Sequence, residues 1–120
     1  MNRKKIVAGN WKMNKTLQEA NTLVEQIINN APANEVVKII IPPFPYLTSI
    51  HSQISVNPNF LLGAQNCHTN ANGAYTGEIS ANMLQSVGCQ YVLVGHSERR
   101  QYFKEKDADF VLKIKEAINH

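Results

Sequence analysis

Apolar and polar positions alternate along the chain between two patterns. Short, nearly continuous apolar runs predict buried strands at residues 4–9, 36–41, 60–66 and 90–95. Between them, apolar residues recur every three or four positions, which is typical of amphipathic helices. This second pattern predicts helices at residues 16–31 and 46–55, a short helix after Ser80, another over 97–103 and a last one from Asp107 or Asp109.

The predicted helix ends have recognisable capping residues. Thr16, followed three positions later by Glu19, is a capping-box pattern. Ser80 is expected to cap the short helix, and Gly88 is expected to end it. On the last helix, the positions predicted to form one apolar face are Val111, Ile114, Ala117 and Ile118.

The order of these elements is strand then helix, four times over, with short connections. Such an order predicts right-handed βαβ units and an α/β fold with parallel strands. No linker, low-complexity tract or close repeat interrupts it. We therefore expect residues 1–120 to form one unit.

Composition narrows the functional classes. The chain has 120 residues, of which 43% are hydrophobic and 18% charged, as in a globular domain. A net charge of +3 is too small and too scattered to predict a nucleic-acid partner. Since there is neither an apolar run of about 20 residues nor the apolar core of a signal peptide, no membrane partner is expected. The two cysteines lack metal-finger or redox spacing, so we expect reduced thiols and a cytoplasmic protein.

Polar residues collect where predicted strands end and helices begin. They lie at Asn10 and Lys12, at residues 65–78 and at residues 96–100. In parallel α/β folds this is the face where ligands bind. The arrangement alone therefore predicts one functional face.

Asn10 and Lys12 lie just beyond the first strand. Residues two apart on an extended segment point the same way, so an amide and an ammonium would face one site. That pair suits a phosphate or a polarised carbonyl. A solvent-exposed lysine beside a turn asparagine fits the spacing equally well.

His96 follows the fourth predicted strand, and Ser97 is expected to be the N-cap of the helix after it. The positive end of a helix dipole disfavours an imidazolium. A neutral imidazole can donate a hydrogen bond to a carbonyl oxygen and can shuttle protons. An isolated histidine is often only a satisfied polar residue, but the neighbouring Ser97 and Glu98 favour a functional interpretation.

A hydrolase site is a weaker interpretation of the same stretch. Residues 95–99 nearly match G-x-S-x-G, but Arg99 replaces the last glycine. The only downstream histidine is His120, at the last position of the chain. A catalytic triad is therefore not expected.

Nucleotide and metal sites also lack sequence support. Neither phosphate-binding glycine motif is present. Cys67 and His68, combined with Cys89 and His96, match no familiar metal-ligand spacing. No metal is expected.

Residues 65–80 form a loop that is long for a βα connection and includes a Tyr-Thr-Gly segment at 75–77. Loops of this length are usually functional or disordered. Low charge and an exposed aromatic favour docking against another surface.

Together these segments resemble the triosephosphate isomerase family. The matching motifs are AGNWKMN (8–14), PPFPYL (42–47), GAQNCH (63–68), GAYTGEIS (73–80) and VGHSERR (94–100) followed by YF. They occur in the family's order and spacing and extend over essentially the whole chain. The combination of NWKMN with GHSERR is highly specific.

The resemblance implies roles for five residues. Asn10 and Lys12 correspond to substrate-binding residues after the first strand, and Lys12 also has a catalytic role. His96 corresponds to the neutral electrophile, Ser97 supports its turn, and Glu98 is the carboxylate partner of the lysine. The family interconverts dihydroxyacetone phosphate and D-glyceraldehyde 3-phosphate through an enediolate, in glycolysis and gluconeogenesis, without metal or organic cofactor.

The resemblance also implies a homodimer. The 65–80 loop corresponds to the family's dimer loop, which places Tyr75, Thr76 and Glu78 at the subunit interface. Thr76, near the tip, would reach the active site of the neighbouring subunit.

The family's fold is a (β/α)8 barrel of about 250 residues, and this chain supplies four βα units, a (β/α)4 half-barrel. The family's glutamate base follows the sixth strand, and its phosphate loops follow strands seven and eight. Glu78, Glu98, Glu105 and Glu116 do not match the sequence context of that base. We therefore expect an N-terminal half that is inactive alone, because proton transfer needs a base.

A half-barrel also leaves its first and fourth strands as open edges. We expect these edges to associate with the missing C-terminal half or with another copy of the chain. The alternative to an isomerase half is a non-catalytic, self-associating half-barrel with at most weak anion binding.

Overall fold

Four parallel strands form one sheet in the computed structural model, which describes residues 2–120. The strand order is β1-β2-β3-β4, and each strand pairs in parallel with the next. The bounds are Ile6–Asn10 for β1, Val37–Ile41 for β2, Phe60–Ala64 for β3 and Tyr91–Val92 for β4. The predicted parallel α/β half-barrel is confirmed.

Five α-helices follow the strands among the described residues. Their bounds are Leu17–Asn30 for α1, Leu47–Ile54 for α2, Ala81–Ser86 for α3, Ser97–Tyr102 for α4 and Asp107–Asn119 for α5. A 3₁₀ turn at Phe44–Tyr46 leads into α2. The caps at Thr16 and Ser80 are confirmed, since each side chain accepts a backbone N–H of its helix. Gly88 ends α3 with φ +96°, as expected.

The hydrophobic core lies between the sheet and helices α1, α2 and α3. Val24 of α1, Ile50 of α2 and Leu84 of α3 are buried against Phe60 and Leu62 of β3. Burying such side chains contributes about 1.5–3 kcal/mol each. The core thus holds the middle of the sheet, and with it the ends of β2 and β3.

Gly63 is required by a close approach between neighbouring strands. A Cβ at this position would lie 2.9 Å from Cγ1 of Ile41 and 3.0 Å from Cγ2 of Ile39. Both isoleucines are buried on β2. The absent side chain of Gly63 makes room for them.

β4 is shorter than predicted. The expected strand covered residues 90–95, but only Tyr91–Val92 is strand. Leu93 still donates its N–H to Ala64 O at 2.9 Å, after which Gly95 turns the chain with φ +78°. Because β3 ends at Ala64, opposite Val92, the rest of the apolar run has no strand residues to pair with.

The two predicted edge strands are confirmed as the edges of the sheet. On β1 the apolar side chains are uncovered: Ile6 is 48% exposed and Val7 63%. This is unusual for a strand of an α/β sheet, where both faces are normally covered.

The apolar face predicted for α5 is not the face that packs inward, so this prediction was wrong. Val111, Ile114 and Ile118 are exposed, and the buried residues of the helix are Phe110 and Lys113. The physical reason is that Lys113 bonds inward to polar groups, which turns the aliphatic side chains toward solvent.

The core assignment makes a matched pair of substitutions informative. We expect Ile50→Ala to lower the free energy of unfolding by about 2–5 kcal/mol, because it leaves a cavity in the core. We expect Ile118→Ala, at a 77% exposed position, to change it by about 0.5 kcal/mol or less. Urea denaturation followed by circular dichroism measures both. Equal losses would contradict the core described above.

Candidate active site

The parallel sheet brings two amide side chains and one imidazole to the same edge. Asn10 is the last residue of β1, Gln65 is the first after β3, and His96 follows β4. All three follow the carboxyl ends of their strands. This is the edge at which α/β proteins bind ligands.

Lys12 adopts a left-handed backbone conformation with φ +58°. The expectation of an extended segment from Asn10 to Lys12 was therefore wrong. The turn is held from both sides: Asn10 Oδ1 accepts the Lys12 N–H at 2.9 Å, and Gln65 Nε2 donates to the Lys12 carbonyl at 2.8 Å. These bonds offset a conformation that costs about 1–2 kcal/mol for a non-glycine residue.

Gln65 is a site residue whose role the sequence did not reveal. Its amide also donates to Ile41 O at 3.2 Å, so it ties the ends of β2 and β3 to the Lys12 turn. The one available signal was an amide placed directly after a buried strand. That signal indicates a polar edge of the sheet, but it does not identify the groups that Gln65 bonds.

Lys12 and Glu98 form an ion pair across the site, with Nζ 2.6 Å from Oε1. The hydrogen bond from Lys12 holds the pKa of Glu98 below its ordinary value. The same contact raises the pKa of Lys12. At neutral pH the pair is therefore an ammonium and a carboxylate, and both side chains are open to solvent.

His96 is the N-cap of α4, which corrects the prediction that Ser97 holds this position. Its Nδ1 accepts the Glu98 N–H at 3.1 Å, and Ser97 is the first helical residue. The physical reason is that His96 is the last residue with extended backbone, and its ring nitrogen takes the place of a capping hydroxyl.

The cap fixes the tautomer of His96. A backbone N–H can only donate, so Nδ1 is an acceptor and carries no proton. The ring proton is therefore on Nε2. This leaves an N–H donor at the strand edge, next to the Lys12–Glu98 pair.

The predicted interface residues form a separate group around His68. The ring of Tyr75 lies 4.5 Å from the His68 ring, and Glu78 Oε2 is 3.5 Å from His68 Nδ1. Thr76 is exposed between them. Within residues 2–120 these contacts stay inside the 65–80 loop. The loop reaches Lys12 through Gln65, at its first position, and not through the predicted interface residues.

The cysteines lie outside this site. Burial raises the pKa of both thiols, that of Cys89 to about 11, so they are protonated and weak nucleophiles at neutral pH. Among the described residues, no three His, Cys, Asp or Glu side chains form a group that could hold a metal ion.

Among residues 2–120, no helix is both long enough and apolar enough to cross a membrane.

Comparison with known proteins assigns the family. The family model for triosephosphate isomerase matches residues 5–120. The triosephosphate isomerase of Alkaliphilus oremlandii is 52% identical over 116 residues, which is 97% of this chain and 46% of that protein. The triosephosphate isomerase of Caldanaerobacter subterraneus subsp. tengcongensis is 48% identical over 118 residues, 98% of this chain and 47% of its own length.

The chain spans about half the length of the curated relatives it matches. The match extends over nearly the whole chain and includes every segment that forms the site. The chain belongs to the triosephosphate isomerase family.

Proposed function

We propose that this chain provides the N-terminal half of a triosephosphate isomerase barrel and active site. The substrate would be a triose phosphate, interconverted between dihydroxyacetone phosphate and D-glyceraldehyde 3-phosphate through an enediolate. The observation that carries the proposal is the His96 cap, which leaves the Nε2–H free to polarise a carbonyl beside the Lys12 ammonium. Such preorganised donors stabilise charge that develops on oxygen in a transition state.

Each side chain has a role suited to its chemistry. Lys12 would balance the phosphate and the developing enediolate charge. Asn10 uses its oxygen to hold the Lys12 turn, so its amide NH2 is the group that can donate to substrate. Ser97 supports the turn next to His96, and Glu98 keeps Lys12 in place.

Glu98 is poorly suited to remove the substrate proton. The Lys12 ammonium holds its pKa below the usual value, which makes the carboxylate a weaker base. We therefore propose that the base and the phosphate loops are supplied by the C-terminal half of the barrel. In that case the 120-residue chain is inactive alone.

The same proposal includes a homodimer with Tyr75, Thr76 and Glu78 at its interface. It is supported by the exposure of Thr76 and by the packing of Tyr75 on His68, which shapes the loop. We propose a cytoplasmic location and no metal, organic cofactor or nucleic-acid partner. The small net charge supports the absence of a nucleic-acid partner, and the free thiols of Cys67 and Cys89 support the cytoplasmic location.

A second candidate is a non-catalytic half-barrel that associates with itself and binds anions weakly at most. The exposed apolar side chains of β1 and α5 favour it, because open apolar edges promote association. Sedimentation tests the association part of this candidate, because a monomer at all concentrations argues against it. Turnover with an added C-terminal half separates this candidate from the isomerase proposal.

Complementation tests the isomerase proposal. We expect the chain mixed with the C-terminal half of the Alkaliphilus oremlandii relative to show isomerase turnover that neither half shows alone. His96→Gln should then lower kcat by about 10²–10⁴-fold, because the electrophile is lost. A coupled assay for glyceraldehyde 3-phosphate measures this.

The matched control is His51→Gln, at an exposed position of α2, which should leave turnover unchanged. If no ratio of the two halves gives activity, the isomerase proposal is wrong. Turnover by the isolated chain would contradict the proposed division of the active site.

The Lys12–Glu98 pair makes a second prediction. We expect Lys12→Met to raise the pKa of Glu98 toward its ordinary value of about 4.3, since the hydrogen bond and the charge that stabilise the carboxylate are both removed. Carbon-detected NMR of the Glu98 carboxyl during an acid titration measures the change. Lys4→Met makes the same charge change at an exposed position outside the pair and should not move it. An unchanged Glu98 titration in Lys12→Met would contradict the ion pair.

A further inference from the structure

Helix α4 positions two side chains of the site, although it is not itself packed into the hydrophobic core. It provides Glu98, and its N-cap is His96. None of its six residues is buried, so its position is not fixed by apolar side chains packed in the core. What fixes it must therefore be sought in its polar contacts.

Two arginines connect α4 to the region of α5, and they differ in exposure. Arg100 Nη1 lies 2.9 Å from Asp107 Oδ1, but that pair is largely open to solvent. Exposed ion pairs contribute about 0–1 kcal/mol. Arg99 Nε instead bonds Glu105 Oε2 at 2.5 Å, in a contact where both side chains are mostly covered.

The Arg99–Glu105 contact continues into the interior through Lys113. Lys113 Nζ lies 2.7 Å from Glu105 Oε2 and 2.7 Å from Asn66 Oδ1. Lys113 is only 5% exposed and Asn66 9%. The ammonium is therefore a buried branch point between α5, the segment after α4 and the segment after β3.

The carboxyl group of Glu105 is ionised at neutral pH. Burial alone would raise the pKa of Glu105, but the hydrogen bonds from Lys113 and Arg99 outweigh it and lower the pKa. Removing an ammonium from water is costly unless its partners compensate. An aliphatic side chain would fill the position of Lys113 without that cost, so packing alone does not account for a lysine there.

The two ends of the network meet the two sides of the active site. Asn66 is adjacent to Gln65, whose amide holds the Lys12 carbonyl at 2.8 Å. At the other end, Arg99 is adjacent to Glu98, which bonds the Lys12 ammonium and the His96 ring. Lys113 thus connects two sets of contacts, those that hold the Lys12 turn and those that hold α4.

We propose that Lys113 is a positioning residue that fixes the His96 cap and Glu98 relative to the Lys12 turn. It acts through Glu105 and Arg99 on α4, and through Asn66 on the segment after β3. This assignment deepens the proposed function, because it concerns the electrophile of that reaction. It can nevertheless be tested without turnover, so its failure is distinguishable from failure of the isomerase proposal.

NMR of the isolated chain provides the test. In Lys113→Met we expect the amide hydrogen of Glu98 to exchange at least about 10-fold faster, because the cap that protects it opens more often. The His96 ring nitrogens should at the same time shift toward a mixture of tautomers. Amides of β2, such as that of Ile40, should keep their wild-type exchange rates.

The matched control is Lys115→Met, two positions along the same helix and exposed. It makes the same charge change and should leave Glu98 and His96 as in the wild type. If folded Lys113→Met changes these signals no more than the control, or changes the β2 amides equally, the assignment is overturned.

Glu105→Gln provides a second variant in case Lys113→Met does not fold. It keeps the shape of the side chain and removes the charge that holds Lys113 and Arg99 together. The same local changes at Glu98 and His96 would support the assignment. If both variants unfold, the network stabilises the whole fold and not the site in particular, which would also overturn it.

Discussion

The parallel pairing of β1 with β2 and of β2 with β3 carries Asn10, Ile41 and Gln65 to the same edge of the sheet. Gln65 can reach the Lys12 carbonyl and Ile41 O together only because these strands end side by side. The left-handed turn at Lys12 depends on that contact. The backbone turn at Lys12 sets the direction of its ammonium group, and therefore its bond to Glu98.

Features encoded by neighbouring residues could be predicted from the sequence. The strands, the parallel order, the Thr16 and Ser80 caps and the glycine end of α3 all follow from local periodicity and capping. The motifs around Lys12 and His96 also indicate the family from the sequence alone. The combination of NWKMN with GHSERR is highly specific for this family.

Features that depend on distant partners could not be predicted. Lys12 turns because of Gln65, 53 positions away, and Lys113 is buried because of Asn66, 47 positions away. The capping role of His96 was missed because hydroxyl side chains are the usual N-caps. The length of β4 depends on where β3 ends, which no pattern around β4 reports.

The candidate site is held together by contacts within residues 2–120. His96 is fixed by its bond from the Glu98 N–H, and the Glu98 carboxylate bonds the Lys12 ammonium. The exposed apolar residues of β1 and α5 favour association, because open sheet edges and apolar surfaces promote it. His96 is thus already held as an N-cap in the isolated chain, as the electrophile of the proposed function requires.

Determining the tautomer of His96 in the isolated wild-type chain tests whether this cap is formed. A long-range ¹H–¹⁵N NMR spectrum at neutral pH, with His96 assigned by loss of its signals in His96→Gln, reports which ring nitrogen carries the proton. We expect a proton on Nε2 and an unprotonated Nδ1 that accepts the Glu98 N–H. A proton on Nδ1, or rapid averaging between the two nitrogens, would contradict it.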